Sequence, residues 1–257
     1  MKIHPSAIVH PKATLDTDVE VGPFCVVGEH VVIGKGSRLH SHVNVEGWTE
    51  IGERNEVHPF ASIGGPPQHL AYKGEPTKVT IGHDNIIREY VTINRGTVQG
   101  GGVTSLGSKG ILMAYVHVAH DCRVGDHTVF ANHATLAGHV DIGDWAILGG
   151  FTGVHQFCRV GAHSFCGVGT VLLQDLPPFV ICAGNPAVPR SINAEGLKRR
   201  GYAAEAIAAI KRAYKILYRN GLSLDDARTQ IAGAAEVTPE LAPLVAFLAE
   251  SGRGVIR

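Results

Sequence analysis

Aliphatic residues recur along this chain every six positions. From Ile3 the series runs Val9, Leu15, Val21, Val27, Ile33, Leu39, Val45, Ile51, Val57 and Ile63 without a gap, and the same phase returns at Ile81, Ile87 and Ile93. After a shift of one residue it continues as Leu106, Leu112, Val118, Val124, Phe130, Leu136, Ile142, Leu148, Val154 and Val160. Glycine often follows the aliphatic residue, as at Gly22, Gly34, Gly52, Gly64, Gly107 and Gly125. A helix would repeat about every 3.6 residues, so the period predicts short strands separated by corners. Three hexads, 18 residues, would close one triangular coil of a β-solenoid. The inward residues would fill a narrow prism with little room for rings. The glycine after each aliphatic is expected to relieve the corner backbone.

The hexads stop twice, at 65–78 and at 94–104, and both stretches are expected to be loops ejected from the coil. The solenoid is expected over residues 1–190, ending after Asp175-Leu-Pro-Pro, with an α-helical domain over 191–257. There the spacing predicts helices at 203–219, 223–235 and 239–251, the first presenting Ile207, Ile210, Tyr214 and Leu217 on one face. Ser223, followed by Asp225 and Asp226, is a helix-start signal for the second.

Charge sharpens this division. The 257 residues hold 23 Lys/Arg and 23 Asp/Glu. Residues 1–175 carry 12 Lys/Arg against 16 Asp/Glu, and residues 176–257 carry 11 against 7. The neutral total is a cancellation of an acidic coil and a basic tail. No basic footprint for general nucleic-acid binding is present, and no stretch has the length of a membrane span. The start, Met1-Lys2-Ile3-His4-Pro5, leads straight into hexads, so no signal peptide and a cytoplasmic location are expected. The five cysteines form no CxxC; Cys25, Cys122, Cys158 and Cys166 fall on inward positions and are expected to be buried thiols.

All 15 histidines lie between His4 and His163. His4, His10, His40 and His58 directly follow an inward aliphatic and are expected to be solvated corner residues, and His30, His42, His83, His127, His133 and His163 are read the same way. Another group behaves differently. Residues 18 apart should stack about 4.8 Å apart on successive coils. His120, Gly138 and Gln156 form such a column, joined by His117, Asp121, His139 and His155. A histidine oriented by a carboxylate can act as a general base, and a glycine N–H can hold an oxyanion. Three histidines could equally bind zinc, which the His117-x-x-His120 spacing permits without demanding.

The residues that carry a resemblance are His117-Val-Ala-His120-Asp121-Cys122, Asn132-His-Ala-Thr-Leu-Ala-Gly138-His139, Val154-His155-Gln156-Phe157-Cys158, Ile93-Asn-Arg-Gly-Thr-Val-Gln-Gly-Gly and Asn193-Ala-Glu195-Gly-Leu-Lys-Arg199-Arg200-Gly. Across nearly its whole length the chain resembles the hexapeptide-repeat acyltransferases, in particular the branch that acylates UDP-N-acetylglucosamine at the start of lipid A synthesis. The resemblance implies a left-handed parallel β-helix followed by helices, and a homotrimer with sites between neighbouring coils. It implies a 3-hydroxyacyl donor on acyl carrier protein, a UDP-sugar acceptor, and neither a metal nor a cofactor beyond the carrier's phosphopantetheine. His120 would be the base toward the sugar 3-hydroxyl, Asp121 would orient it, and the Gly138 N–H would hold the oxyanion of a single displacement. His117, His139, His155 and Gln156 match positions on the sugar nucleotide or the pantetheine arm. Asn193, Glu195, Arg199 and Arg200 match nucleotide-binding positions, where guanidinium groups suit a diphosphate.

Two departures matter. Where the family usually reads Gln-Asp-Leu-Lys-Tyr, this chain has Gln68-His69-Leu70-Ala71-Tyr72-Lys73. Lys73 could replace the missing lysine only if the loop is extended there, and the change raises a 3-amino sugar as an alternative acceptor. Val168 stands at the acyl-chain ruler, where long-chain members have glycine, which implies a shorter chain. The related N-acyltransferase, with an additional uridine-binding domain before its hexads, a zinc hydratase on the same scaffold and a trimeric binding scaffold are the other readings.

Overall fold

A computed structural model describes residues 1–250 and 253–257. Most strands are two residues long, and each pairs in parallel with the strand one coil further on. Lys2 lies beside Glu20 and Ile3 beside Val21, a step of 18 residues. Three parallel sheets result, and they form the faces of a triangular prism. The first face begins with Lys2–Ile3, the second with Ile8–Val9 and the third with Thr14–Leu15. The step lengthens to 30 residues where the first loop leaves, with Val57 beside Ile87, and to 25 where the second leaves, with Ile87 beside Leu112. Both loops depart from the corner between the second and third faces, after Ser62–Gly65 and after Thr92–Asn94.

The prism interior is the aliphatic series itself, including Ile33, Leu39, Ile63, Ile87, Leu112, Leu136 and Leu148, all buried. Phe130 also lies inside at 0% exposure, so one ring does fit. All five cysteines are buried and free. Burial pushes the Cys122 thiol up to about 12 and the Cys158 thiol up to about 11, which makes both inert as nucleophiles at neutral pH.

The glycines after the inward aliphatics have a different role from the one expected. Of those at 22, 34, 52, 64, 107 and 125, only Gly64 has a positive φ. The others lack a side chain because a Cβ would meet the next coil: at Gly34 it would lie 2.7 Å from the Gly52 carbonyl carbon. The left-handed backbone falls two residues later, at positions such as Phe24, His42, Tyr90, Asp121 and His163. Side chains there point away from the prism, and rings stack on one another. Phe24, His42, Phe60, Tyr90, Tyr115, His133 and Phe151 form one such ladder, with centroids 4.7–5.0 Å apart. Many rings of this protein therefore lie outside the core.

A hairpin, Val180–Ala183 with Val188–Ile192, ends the first face. The helices α1 (Ala194–Arg199), α2 (Ala204–Tyr218), α3 (Leu224–Ala235) and α4 (Ala242–Ala249) follow. Ser223 caps α3, its hydroxyl accepting from the Asp226 N–H. α2 buries Ile210, Tyr214 and Leu217 as its pattern required, while Ile207 is only partly covered. The expected third helix is split into a 3-10 turn, Pro239–Leu241, and α4; its last expected residue, Ser251, lies outside the described residues. Arg159 ties the coil to α4: its guanidinium donates to Asp175 and Glu250 and lies 4.3 Å above the Phe247 ring.

The glycine contacts give a direct test. Gly34→Ala should destabilise the protein by about 1–3 kcal/mol through overpacking. Gly153→Ala, where a Cβ would meet nothing within 4 Å, should leave thermal unfolding nearly unchanged.

Candidate active site

The strand His117–Val118 lies on the second face, and the chain turns immediately after it. His120 and Asp121 occupy that turn. Asp121 has φ of +61°, a conformation aspartate tolerates better than most residues. Its side chain is fully enclosed while that of His120 is 12% exposed. His120 Nδ1 lies 2.8 Å from Asp121 Oδ2. If Nδ1 carries the proton donated to this carboxylate, Nε2 is left with a free lone pair.

The second ejected loop returns to hold Asp121. The Thr97 N–H donates to Oδ1 at 2.8 Å and the Thr97 hydroxyl to Oδ2 at 2.6 Å. The Asp121 N–H donates to the Thr104 hydroxyl at 2.8 Å. Close approach requires the glycines of this loop, since a Cβ on Gly100 would come within 2.0 Å of Asp121 Cγ.

Gly138 lies one coil further on, beside His120. A Cβ there would sit 2.5 Å from His120 Cε1, so only glycine leaves the imidazole its place. The Gly138 N–H donates to no backbone carbonyl among the described residues. Its neighbours continue the column: the His139 N–H donates to His120 O, and the Phe157 N–H to Gly138 O. The His139 ring meets His120 edge-on at 5.1 Å, and His69 from the first loop does so at 5.3 Å. His117 pairs with the Thr92 hydroxyl at 2.7 Å. Burial, then the neighbouring His120, holds His117 below the usual histidine range, and burial does the same to His139. His155 stands on the next coil, with Nδ1 3.1 Å from Gln156 O, and Gln156 is exposed.

The first loop is not extended at the residues in question. The Tyr72 N–H donates to His69 O, so the chain turns between them. Alternation therefore does not aim Lys73 at the site; it is exposed, and its N–H donates to the Glu75 carboxylate. Gln68 is exposed as well. His120, Asp121 and His139 could together hold a metal, their ligand atoms lying within 4.8 Å of one another. However, Oδ2 of Asp121 already accepts from Thr97 and pairs with His120, which favours a proton-transfer arrangement.

The remaining candidates lie on other corners. Asn193 caps α1 and donates from Nδ2 to His163 O at 2.9 Å. Arg200 lies 5.0 Å over the Trp145 ring, and its guanidinium is 3.3 Å from His163 Nδ1. Tyr202 OH is 3.2 Å from His163 Nε2. Glu195 and Arg199 are exposed on α1. His163 thus belongs to a partly buried polar group and is not a solvated corner residue. Val168 is 78% exposed at the corner between the first and second faces. Within one chain, the His120 pair, the Arg200 group and Val168 occupy the three different corners of the prism.

Parallel hexad coils with a His–Asp pair at one corner define a β-helix protein of the hexapeptide-repeat class. Residues 175–256 match the family described as UDP N-acetylglucosamine O-acyltransferase, domain 2. The chain is 56% identical over 255 residues to the acyl-[acyl-carrier-protein]--UDP-N-acetylglucosamine O-acyltransferase of Thiobacillus denitrificans, with 99% of each covered. Its fold matches LpxA from Acinetobacter baumannii with a TM-score of 0.97 at 45% identity, covering 99% of both chains. It matches the UDP-N-acetylglucosamine acyltransferase of Francisella novicida with a TM-score of 0.98 at 43% identity, covering 99% of this chain and 94% of that one. The chain belongs to the UDP-N-acetylglucosamine O-acyltransferase family, and its coil is the left-handed parallel β-helix with a helical C-terminal part.

Burial, then Arg200, presses His163 down to about 4, whereas an unfolded histidine titrates near 6.5. Between those values the unfolded chain binds a proton that the folded chain refuses, so this contribution to stability is lost as pH falls from about 6.5 toward 4. His163→Gln should flatten that part of the pH dependence of the urea midpoint.

Proposed function

We propose that this chain transfers a 3-hydroxyacyl group from acyl carrier protein to the glucosamine 3-hydroxyl of UDP-N-acetylglucosamine, the first step of lipid A synthesis. The observation that carries the reading is the 2.8 Å pair of His120 Nδ1 with Asp121 Oδ2, set against Gly138. His120 Nε2 takes the proton of the sugar hydroxyl as its oxygen attacks the thioester carbonyl. The Gly138 N–H receives the oxyanion. Collapse breaks the carbon–sulfur bond, and the pantetheine thiolate leaves with the proton from His120. No acyl-enzyme forms, and no metal or resident cofactor is required. Asp121 keeps the imidazole in the tautomer and orientation that the step needs.

His117, His139, His155, Gln156, Gln68 and His69 line the approach for the sugar nucleotide and pantetheine, while Asn193, Glu195, Arg199 and Arg200 bind the nucleotide. Because these groups lie on different corners, the reading includes a homotrimer in which neighbouring chains complete each site. The Thiobacillus and Herminiimonas relatives are both named for O-acyl transfer to UDP-N-acetylglucosamine, which supports the hydroxyl as acceptor over the amine. No helix among the described residues is long and apolar enough to cross a membrane, and the proposed carrier and nucleotide substrates suit a cytoplasmic enzyme.

The deciding experiment crosses UDP-N-acetylglucosamine and its 3-amino analogue with acyl carrier proteins of several chain lengths. O-acylation of UDP-N-acetylglucosamine at least as fast as N-acylation of the analogue is expected; a clear preference for the amine would move the assignment to amide formation. His120→Ala should lower kcat by about 10²–10⁴-fold with the fold intact. Unchanged activity would leave only a scaffold role for this corner.

The same assay tests the ruler. Val168→Gly should move the preferred acyl chain to greater length, and an unchanged preference would remove Val168 from that role.

A further inference from the structure

A second histidine–carboxylate group lies on another corner, between the first and second faces and several coils before His120. Glu56 projects outward from the strand Glu56–Val57, and His40 and His58 follow the first-face strands of two successive coils. His40 Nε2 is 2.8 Å from Glu56 Oε1, and His58 Nε2 is 3.7 Å from the same oxygen. The two imidazoles stack with centroids 4.6 Å apart, so both Nε2 atoms converge on that oxygen. All three ligand atoms lie within 4.8 Å of one another. The other nitrogen of His58, Nδ1, lies 3.6 Å from Glu89 Oε1.

We propose that His40, Glu56 and His58 form a binding site for a divalent transition-metal ion, with zinc the best fit. Two imidazoles and one carboxylate are a ligand set zinc accepts, leaving a fourth position for water. Glu89 stands behind His58, its Oε1 3.6 Å from Nδ1 and accepting from Arg88, so its charge lies near the site without a hydrogen bond to the ring. Of the neighbouring cations, Arg38 pairs with Glu20, and Arg88 pairs with Glu89 beside the site, each offset by its own carboxylate. The side chains are 17–43% exposed, so an ion can enter without unfolding. A bound ion would take the place of the His40–Glu56 contact and would cross-link two successive coils. This site shares no residue with His120, Asp121 and Gly138.

Calorimetric titration of the chelator-treated, full-length protein with zinc chloride tests the proposal. About one equivalent per chain is expected, together with a rise in Tm on adding zinc. His58→Ala and Glu56→Gln should abolish both effects. His120→Asn should retain both. Cobalt(II) loaded in place of zinc should give a tetrahedral visible spectrum that His40→Ala loses. Absence of stoichiometric binding would overturn the proposal. So would binding that survives in His40→Ala and His58→Ala but is lost in His120→Asn; that last result would also count against the proton-transfer reading of the other corner.

Discussion

Everything in this molecule depends on one register: each coil pairs in parallel with the next, usually at a step of 18 residues, and the like-with-like pairing is kept even where an ejected loop lengthens the step to 30 or 25. Parallel in-register stacking places like positions in columns, so a side chain's neighbours are set by its place in the hexad. The inward column accepts aliphatics because the prism is narrow. In the column that follows, glycines such as Gly34, Gly52, Gly107 and Gly125 on the corner between the third and first faces lie where a Cβ would strike the next coil, while the same hexad position elsewhere carries side chains such as His40 and His58. The left-handed corner column turns its side chains outward, which is why rings and histidines collect there in ladders. Insertions can enter without disturbing the prism only at a corner, and both large ones leave from the corner that holds His120.

The site uses that regularity and departs from it at one point. Asp121 takes the left-handed corner position that Tyr115, His127, His133 and Trp145 fill elsewhere. Rings at that position point outward and stack. A short carboxylate instead folds under the returning loop, where Thr97 supplies both an N–H and a hydroxyl. The buried acid is therefore held at two points: Thr97 binds its carboxylate, and the Thr104 hydroxyl accepts from its backbone N–H. His120 inherits its orientation from this arrangement, and the missing Cβ of Gly138 gives its ring space. Orientation is thus built into the backbone before any substrate arrives, the condition under which a general base and an oxyanion donor act most strongly.

Much of this was legible in the sequence because the period converts directly into space. The stacking of His120 beneath Gly138, and of His139 beside them, follows from adding 18. What the arithmetic could not reach were contacts made by segments outside it. Thr97 lies in a loop with no hexad phase, so nothing in the pattern aimed it at Asp121; the surrounding Gly96, Gly100, Gly101 and Gly102 were the available signal of a close backbone approach. α1 was missed because it is six residues long and contains Gly196. In the hexads alone His163 looks like a solvated corner residue, because its partners, Arg200 and Tyr202, come from the helical part, whose docking the hexads do not encode. The glycine positions are visible in the hexads but their cause is not: at Gly22, Gly34, Gly52, Gly107 and Gly125 it is contact between coils, and only at Gly64 a left-handed backbone.

The triangular section also limits what a single chain can do. A ligand that must touch the His120 pair, the Arg200 group and Val168 would have to reach three corners of one prism, with the packed aliphatic core between them. No rearrangement of side chains can bring those corners together, because the parallel register fixes each column in place. The homotrimer proposed above would bring corners of different prisms together. The candidate groups lie at different heights, His120 on an earlier coil than His163 and Val168. A rigid coil that cannot close around a ligand leaves the three corners to act together only through a second copy of the chain, which is why the proposed site and the proposed assembly stand or fall together.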